Sequence, residues 1–189
     1  MLVIYPQTIN NGPEPLISDR RILDKMADRP GIACCGQDWI VKKTYNILFL
    51  CTGNSCRSQM AEGWAKWYGR PLFEIQSAGI ETHGKNPRAI AVMKQAGIDI
   101  SRQKSTKVTD QMLQDADLVV TVCGHADEHC PVIPAGTNKE HWPLSDPAKA
   151  QGSEEEIMNQ FRASRDDIKQ RVKKLLQHIS ESESESESE

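Results

Sequence analysis

The chain has 189 residues, 38% of them hydrophobic, and a formal net charge of -3, which suits one substantial core better than two. This charge excludes a strongly basic, nucleic-acid-binding surface. No run approaches the roughly 20 apolar residues that span a bilayer, and the start lacks a basic leader. We therefore expect a cytoplasmic monomer without a membrane segment.

Residues 1–44 are predicted to form a poorly ordered N-terminal extension, because they contain several prolines and no sustained helical or strand period. A short helix is expected over residues 18–26, and residues 39–41 are expected to dock on the core. A start site placed too far upstream, with Met26 as the alternative start, would explain the extension equally well. Cys34 and Cys35 would suit a soft metal or arsenite, but we favour incidental thiols.

A regular pattern begins at Tyr45. Strands are predicted over residues 46–50, 73–77, 117–122 and 140–142, and helices over residues 58–68, 87–95 and 154–179. The first strand is wholly apolar, as expected for a buried parallel strand. The alternation predicts an α/β fold, a three-layer sandwich with a four-stranded parallel sheet. The catalytic domain is expected to span residues 45–179.

Residues 180–189 alternate Ser and Glu and supply five carboxylates, so the rest of the chain carries a net charge near +2. Such a run cannot bury apolar area, and we predict a disordered tail. A solvated tail without a specific role is favoured over an interaction or phosphorylation segment.

The loop that joins the first predicted strand to its helix carries the clearest chemistry. Backbone N–H groups of such a turn, with the helix N-terminus, form a cradle for an anion. Gly53 would supply the unusual dihedrals, Arg57 would bind two oxygens of a tetrahedral oxyanion, and the same field favours the thiolate of Cys51. Ser58 is placed to donate a hydrogen bond to that sulfur. The substrate-binding candidates are Thr52, Gly53, Asn54, Ser55, Cys56 and Arg57.

The segment from Cys51 to Ser58 resembles the signature loop of the low-molecular-weight protein tyrosine phosphatases. The longer stretch to Trp64, with residues 77–84, residues 119–123, Cys130-Pro131 and His141-Trp142, resembles the thioredoxin-coupled arsenate reductases built on that fold. The resemblance covers roughly residues 45–176. It implies arsenate as substrate with phosphate or sulfate as competitors, thioredoxin as electron donor, no bound cofactor, and a role in arsenic detoxification.

The resemblance also implies a relay of three cysteines. Cys51 attacks arsenic, and Cys123 then attacks the Cys51 sulfur, so that a disulfide forms and arsenite leaves. Cys130 attacks Cys123 and frees Cys51, and thioredoxin reduces the resulting pair. The polar segment of residues 124–129 is expected to rearrange and loop outward.

Several residues keep more than one interpretation. Asp146 matches the acid of the phosphatase fold, although an Asp before Pro is also typical of a turn or helix cap. Cys56 either touches the anion or packs, and we favour packing. His83 and His141 are assigned to structure or hydrogen bonding.

Some relatives bind potassium through positions that correspond here to Asn54, Glu62, Ser77 and Thr106. Family members with the ion typically carry Asp at the last position. Thr106 removes that charged ligand, which counts against potassium activation, and Glu62 would then serve in an ion pair.

Three functions remain open from the residues alone. We favour arsenate reduction, and a low-molecular-weight phosphatase that acts through a Cys51 phosphoenzyme is the alternative. The third is a metal-binding or redox-sensing module. Zinc held by Cys123, His125, His129 and Cys130 would fit that third function by ligand type, but four ligands within eight residues do not match the common spacings of zinc sites.

Overall fold

The computed structural model describes residues 3–5, 40–42, 44–69 and 73–186. The chain divides into two compact units, residues 1–44 and 45–189. In the first unit, strand β1 (Val3–Tyr5) pairs antiparallel with strand β2 (Ile40–Lys42). The helix predicted over residues 18–26 lies outside the described residues, as do Cys34 and Cys35.

The second unit alternates strands and helices. Its strands are β3 (Tyr45–Cys51), β4 (Phe73–Gly79), β5 (Leu118–Thr121) and β6 (Asn138–His141). Its helices are α1 (Arg57–Gly69), α2 (Pro87–Gln95), α3 (Asp110–Asp115), α4 (Gly124–Glu128) and α5 (Glu154–Ser186), with a 3-10 turn at Pro147–Lys149.

The four strands of this unit form one sheet in the order β4-β3-β5-β6, and every neighbouring pair is parallel. The predicted α/β class with a four-stranded parallel sheet flanked by helices is therefore confirmed. Leu50 of β3 lies opposite Thr121 of β5. Because Cys51 and Cys123 follow these two residues closely, both cysteines come to the same carboxyl edge of the sheet, where sites form in such folds.

Helices α1 and α5 pack against each other, and α1 also covers β3 and β4. On α5, Phe161, Ile168 and Val172 are fully buried, and their spacing of seven and four residues places them on one face of the helix. This face anchors α1, and α1 in turn fixes the loop that precedes it.

Helix α2 has the predicted bounds because its end signals are local. Asn86 caps its start by accepting a hydrogen bond from the Arg88 backbone N–H, and Pro87 occupies the first turn. Gly97, just beyond the end, has a φ of 84°, which is a conformation that favours glycine.

Helix α5 corrects the predicted C-terminal boundary, since it runs to Ser186 and includes the first seven residues of the segment predicted as a disordered tail. Two contacts one turn apart support the extension. Gln177 Nε2 donates to Glu181 Oε1 at 2.8 Å, and Ser180 Oγ donates to the Leu176 carbonyl at 2.8 Å. Glu is also a good helix former, so a helix already nucleated on the core continues into the repeat.

The segment between the two later cysteines, which is expected to rearrange during the exchange, contains helix α4 at residues 124–128. None of the helices in the described part of the chain has both the length and the apolar character needed to cross a membrane.

Candidate active site

The predicted anion loop lies between the end of β3 at Cys51 and the start of α1 at Arg57. Four of its carbonyl groups accept hydrogen bonds from the segment of residues 80–86. The bonds run from Ile80 N to Cys51 O (3.0 Å), Glu81 N to Thr52 O (2.8 Å), His83 N to Gly53 O (2.9 Å) and Asn86 N to Ser55 O (3.1 Å). Because these carbonyls point toward residues 80–86, the loop amides are free to face the other way, as a cradle requires.

The Cys51 sulfur is buried and contacts two polar groups. Asn54 N donates to Sγ at 3.1 Å, and Ser58 Oγ lies 2.9 Å from Sγ. Both groups can donate a hydrogen bond to a sulfur nucleophile at this position. The predicted contact between Ser58 and Cys51 is therefore present in the structure.

The left-handed residue of the loop is Asn54, with a φ of 44°, and not Gly53, so the predicted conformational role of Gly53 is wrong. Asn54 is fully buried and tolerates this conformation. Its Nδ2 donates to Ser58 Oγ (2.9 Å) and Ser77 Oγ (2.8 Å), and its Oδ1 accepts from Gln59 Nε2 (2.9 Å) and Thr106 N (2.8 Å). These four side-chain bonds fix Asn54 so that its backbone N–H points at Cys51 Sγ.

Two glycines make space for the loop. A Cβ on Gly53 would lie 2.4 Å from Nδ1 of His83, whose side chain is exposed. A Cβ on Gly79 would lie 2.3 Å from Glu81 O and 2.7 Å from Asn54 N, which are backbone atoms. Gly79 therefore allows β4 to approach the loop closely.

Arg57 is buried at the start of α1, and its guanidinium is held by two acceptors. Nη1 donates to the Leu144 carbonyl and Nη2 to Asp146 Oδ2, both at 2.9 Å. Asp146 also caps the 3-10 turn by accepting from Ala148 N at 3.1 Å. Both interpretations of Asp146, the cap and the site carboxylate, are thus compatible with one conformation.

Cys123 is buried just beyond β5 and reaches the same loop. Its Sγ lies 3.3 Å from Thr52 Oγ1 and accepts from Ala126 N at 3.4 Å, as the N-cap of α4. His125, which the sequence analysis considered only as a zinc ligand, also reaches the loop, with its Nδ1 3.5 Å from Thr52 Oγ1. A His two residues after a cysteine of the relay was the available signal.

The other two cysteines differ from Cys51 in environment. Cys130 follows α4 and is half-buried, and burial raises the pKa of its thiol. Burial raises the pKa of Cys56 to about 12, so this residue is a neutral thiol at physiological pH.

A cleft of about 710 Å³ lies between the loop, Cys123 and Asp146. Among the predicted site residues, it is lined by Cys51, Thr52, Gly53, Ser55, Cys56, Arg57, Cys123 and Asp146. Residues His83, His125, Ser145 and Lys149 also line it. Cys130, Ser58 and Asn54 do not line it, and the last two are fully buried.

The four positions of the predicted potassium set are close together but bound to protein donors. Glu62 accepts from Lys66 Nζ on one oxygen and from Ser77 Oγ on the other, both at 2.5 Å. The Oδ1 atom of Asn54 already has its two donors, and Thr106 contributes its backbone N–H. With no second carboxylate at Thr106, these residues do not fit a potassium ion.

The zinc alternative is not supported by the side-chain arrangement. In the described ranges, no group of three or more His, Cys, Asp or Glu side chains is placed to hold a metal. The rings of His125 and His129 instead stack on each other with centroids 4.2 Å apart.

Comparisons with known proteins identify similar chains. The family model for low molecular weight phosphotyrosine protein phosphatase matches residues 46–185. The arsenate reductase of Halalkalibacterium halodurans is 55% identical over 127 residues, which are 67% of this chain and 91% of that protein. A solved arsenate reductase in the phosphate-binding state is 36% identical, with a TM-score of 0.60, and covers 72% of this chain and 99% of that chain. The thioredoxin-dependent arsenate reductase of Corynebacterium glutamicum is 25% identical, with a TM-score of 0.59, over 76% of this chain and 65% of that chain.

Proposed function

We propose that this chain, which belongs to the low molecular weight phosphotyrosine protein phosphatase family and within it to the arsenate reductases, reduces arsenate to arsenite through Cys51, Cys123 and Cys130. The observation that carries the proposal is the position of the second thiol. Cys123 Sγ lies 3.3 Å from the hydroxyl of Thr52, the residue next to the nucleophile, and both cysteines line one cleft. Phosphate ester hydrolysis does not require a second thiol at that point.

Substrate binding uses the loop amides and Arg57. The oxygens of a tetrahedral oxyanion accept from the inward-facing N–H groups, and the guanidinium neutralises part of the charge. Asp146, 2.9 Å from Arg57 Nη2, stands beside the bound oxyanion. Its role is to relay a proton from solvent to the oxygen that leaves arsenic as water.

The two-electron step follows from the attack of a second thiol. The Cys51 thiolate displaces water from arsenic and forms a sulfur–arsenic bond. Cys123 then attacks the Cys51 sulfur, and the electron pair of the sulfur–arsenic bond remains on arsenic. Arsenic is reduced from the +5 to the +3 state, and the two cysteines are oxidised to a disulfide.

Regeneration requires the third thiol. Cys130 attacks Cys123 and releases Cys51 as a thiolate, so the oxidation moves to the Cys123–Cys130 pair. Thioredoxin, the reductant named for the Corynebacterium glutamicum relative, is the proposed electron donor. It reduces the Cys123–Cys130 disulfide by the same exchange chemistry.

The test is arsenate-dependent oxidation of NADPH through thioredoxin reductase and thioredoxin. Wild type should turn over continuously, Cys123→Ser should show no arsenate-dependent turnover, and Cys130→Ser should stop after one arsenite per enzyme. Cys34→Ser is the matched control, because it removes a thiol outside the relay and outside the predicted catalytic domain, and it should remain active. Wild-type turnover by Cys123→Ser would refute the relay.

Hydrolysis of phosphate monoesters is the second candidate, favoured by the presence of Cys51, Arg57 and Asp146 in one cleft. The cleft lining holds no aromatic ring among the described residues apart from the imidazoles of His83 and His125, and Ala148 follows the Asp146-Pro147 pair. An aryl phosphate assay on the same protein decides between the two activities. We expect hydrolysis to be slower than arsenate turnover.

A further inference from the structure

Helix α4, between Cys123 and Cys130, is held at its middle by one carboxylate. Asp127 Oδ1 lies 2.6 Å from Lys139 Nζ on β6, and it accepts a hydrogen bond from Thr121 Oγ1 of β5 at 3.0 Å. Asp127 is therefore fixed to two strands, although the helix itself has only five residues. The ammonium of Lys139 and the Thr121 hydroxyl lower the pKa of the Asp127 carboxyl, so it remains an ionised acceptor.

The direction in which Thr121 donates its single hydroxyl proton depends on a second partner, His141. His141 Nδ1 lies 2.8 Å from Thr121 Oγ1 and 3.7 Å from Asp127 Oδ1. Thr121 is fully buried. When His141 donates to the hydroxyl, the Thr121 proton is left for an acceptor, and the Asp127 carboxylate at 3.0 Å is closer than the Glu140 carbonyl at 3.4 Å. We call Asp127, Lys139, Thr121 and His141 the α4 latch.

The intact helix is incompatible with the second disulfide of the relay. Cys123 is the N-cap of α4, His129 is its C-cap, and Cys130 follows. The five helical residues between the two cysteines are about 7.5 Å long, and His129 lies beyond them, whereas a disulfide requires Cα atoms about 4.4–6.8 Å apart. Helix α4 must therefore open before Cys130 can reach Cys123.

We propose that the α4 latch keeps Cys123 in the cleft and sets the rate at which Cys130 takes over its disulfide, with Asp127 as the positioning residue. The inference rests on the proposed function. In the step concerned, Cys130 loses its proton to water and its thiolate attacks the Cys123 sulfur. The Cys51–Cys123 bond breaks, the Cys123–Cys130 bond forms, and Cys51 leaves as a thiolate, with no net oxidation.

We call formation of the Cys51–Cys123 disulfide the first exchange and its transfer to Cys130 the second. The latch acts on the second exchange and not on the first, so its effect is separate from the chemistry on arsenic. Cys51 and Cys123 react while α4 is wound, because both already line the cleft. Weakening the latch should therefore leave arsenite formation unchanged and accelerate the transfer to Cys130.

The experiment measures both exchanges in a single turnover without thioredoxin. Reduced protein is mixed with excess arsenate and quenched with acid, free thiols are alkylated, and disulfides are assigned by peptide mass spectrometry. The first rate is taken in the Cys130→Ser background, and the second in protein that retains all three cysteines. Asp127→Asn removes the ion pair and should accelerate the second exchange about twofold, and Asp127→Ala, which also removes the Thr121 contact, about fivefold.

Hydrogen exchange supplies an independent readout. The amides of Asp127 and His129, which donate to Cys123 O and His125 O at 3.1 Å, should exchange faster by the same factors. Asp167→Asn, which breaks a comparable ion pair with Arg171 on α5, is the matched control and should change neither rate.

Two failures are distinguishable. If wild type forms no arsenate-dependent disulfide, the proposed function is wrong, and the role of the latch falls with it. If both disulfides form but neither Asp127 variant accelerates the second exchange, the relay stands and the latch is overturned. Equal acceleration in Asp167→Asn would also overturn it.

Discussion

The guanidinium of Arg57 is paired with the carboxylate of Asp146, with Nη2 and Oδ2 2.9 Å apart, while Nη1 donates to the Leu144 carbonyl. One N–H of each terminal nitrogen is thus engaged, and the second N–H of each remains for an anion. Asp146 orients the fork of Arg57 and places a carboxyl group beside the bound oxyanion. Asp146 therefore favours binding of an anionic substrate by orienting Arg57, and it opposes that binding by its own negative charge.

Asp146→Ala should separate these effects. Loss of the proton donor should lower kcat for arsenate by about 10²-fold, whereas removal of a negative charge near the site should tighten inhibition by phosphate by up to about tenfold. Steady-state kinetics with phosphate as inhibitor measure both. Asp146→Asn, which retains an acceptor for Arg57, should lose kcat to a similar extent, and a kcat within twofold of wild type in both variants would contradict the role in proton transfer.

Ser58→Ala should weaken the nucleophile. Ser58 Oγ lies 2.9 Å from Cys51 Sγ, and a hydrogen bond to a charged group contributes about 1.5–3 kcal/mol. Alkylation of Cys51 by iodoacetamide at neutral pH, followed by peptide mapping, should therefore slow about tenfold. Ser55→Ala is the control at a hydroxyl that does not contact the sulfur, and equal alkylation rates in both variants would refute the assignment.

Cys56 should be inert in the same experiment. Burial raises its pKa to about 12, so its reactive thiolate is scarce at neutral pH and increases only as the pH approaches that value. Peptide mapping after brief alkylation at pH 7 should find Cys51 modified and Cys56 intact. Modification of Cys56 at a rate comparable with Cys51 would show that the thiol is not protected by its surroundings.

The parts of the site that follow from local sequence were predictable. The apolar strand, the loop of Cys51 to Ser58 and the ends of α2 each depend on neighbouring residues, such as Asn86 and Pro87. The positions of Cys51 and Cys123 at one edge also follow, because parallel strands place their carboxyl ends together.

The parts that depend on tertiary contacts were not predictable. The left-handed conformation falls on Asn54 because its side chain is bound by partners distant in the sequence, Ser77 and Thr106. The loop carbonyls are oriented by residues 80–86, which carry no separate sequence signal for that role. Likewise, α5 continues past Ile179 because the packed part of the helix nucleates the polar repeat.

Gly79→Ala should destabilise the fold through the loop. The added Cβ would approach Glu81 O and Asn54 N to 2.3 and 2.7 Å, and backbone atoms cannot rotate away as a side chain can. We expect the free energy of unfolding to fall by about 2–3 kcal/mol. Gly124→Ala is the matched control, because a Cβ there meets nothing within 4 Å. It should be neutral or stabilise by about 0.5–1 kcal/mol in the helix; equal denaturant midpoints would contradict the packing argument.

Potassium should not stabilise this protein specifically. A site filled at a hundred times its Kd would add about 2.7 kcal/mol, but the Glu62 oxygens are engaged by Lys66 and Ser77. Thermal melts in KCl and NaCl at equal ionic strength should therefore give the same Tm. Lys66→Met leaves a buried carboxylate oxygen without its cation, so this variant should be destabilised and should recover part of its Tm in KCl. A potassium-specific rise in the wild-type Tm would contradict the assignment of Lys66 as the resident cation of Glu62.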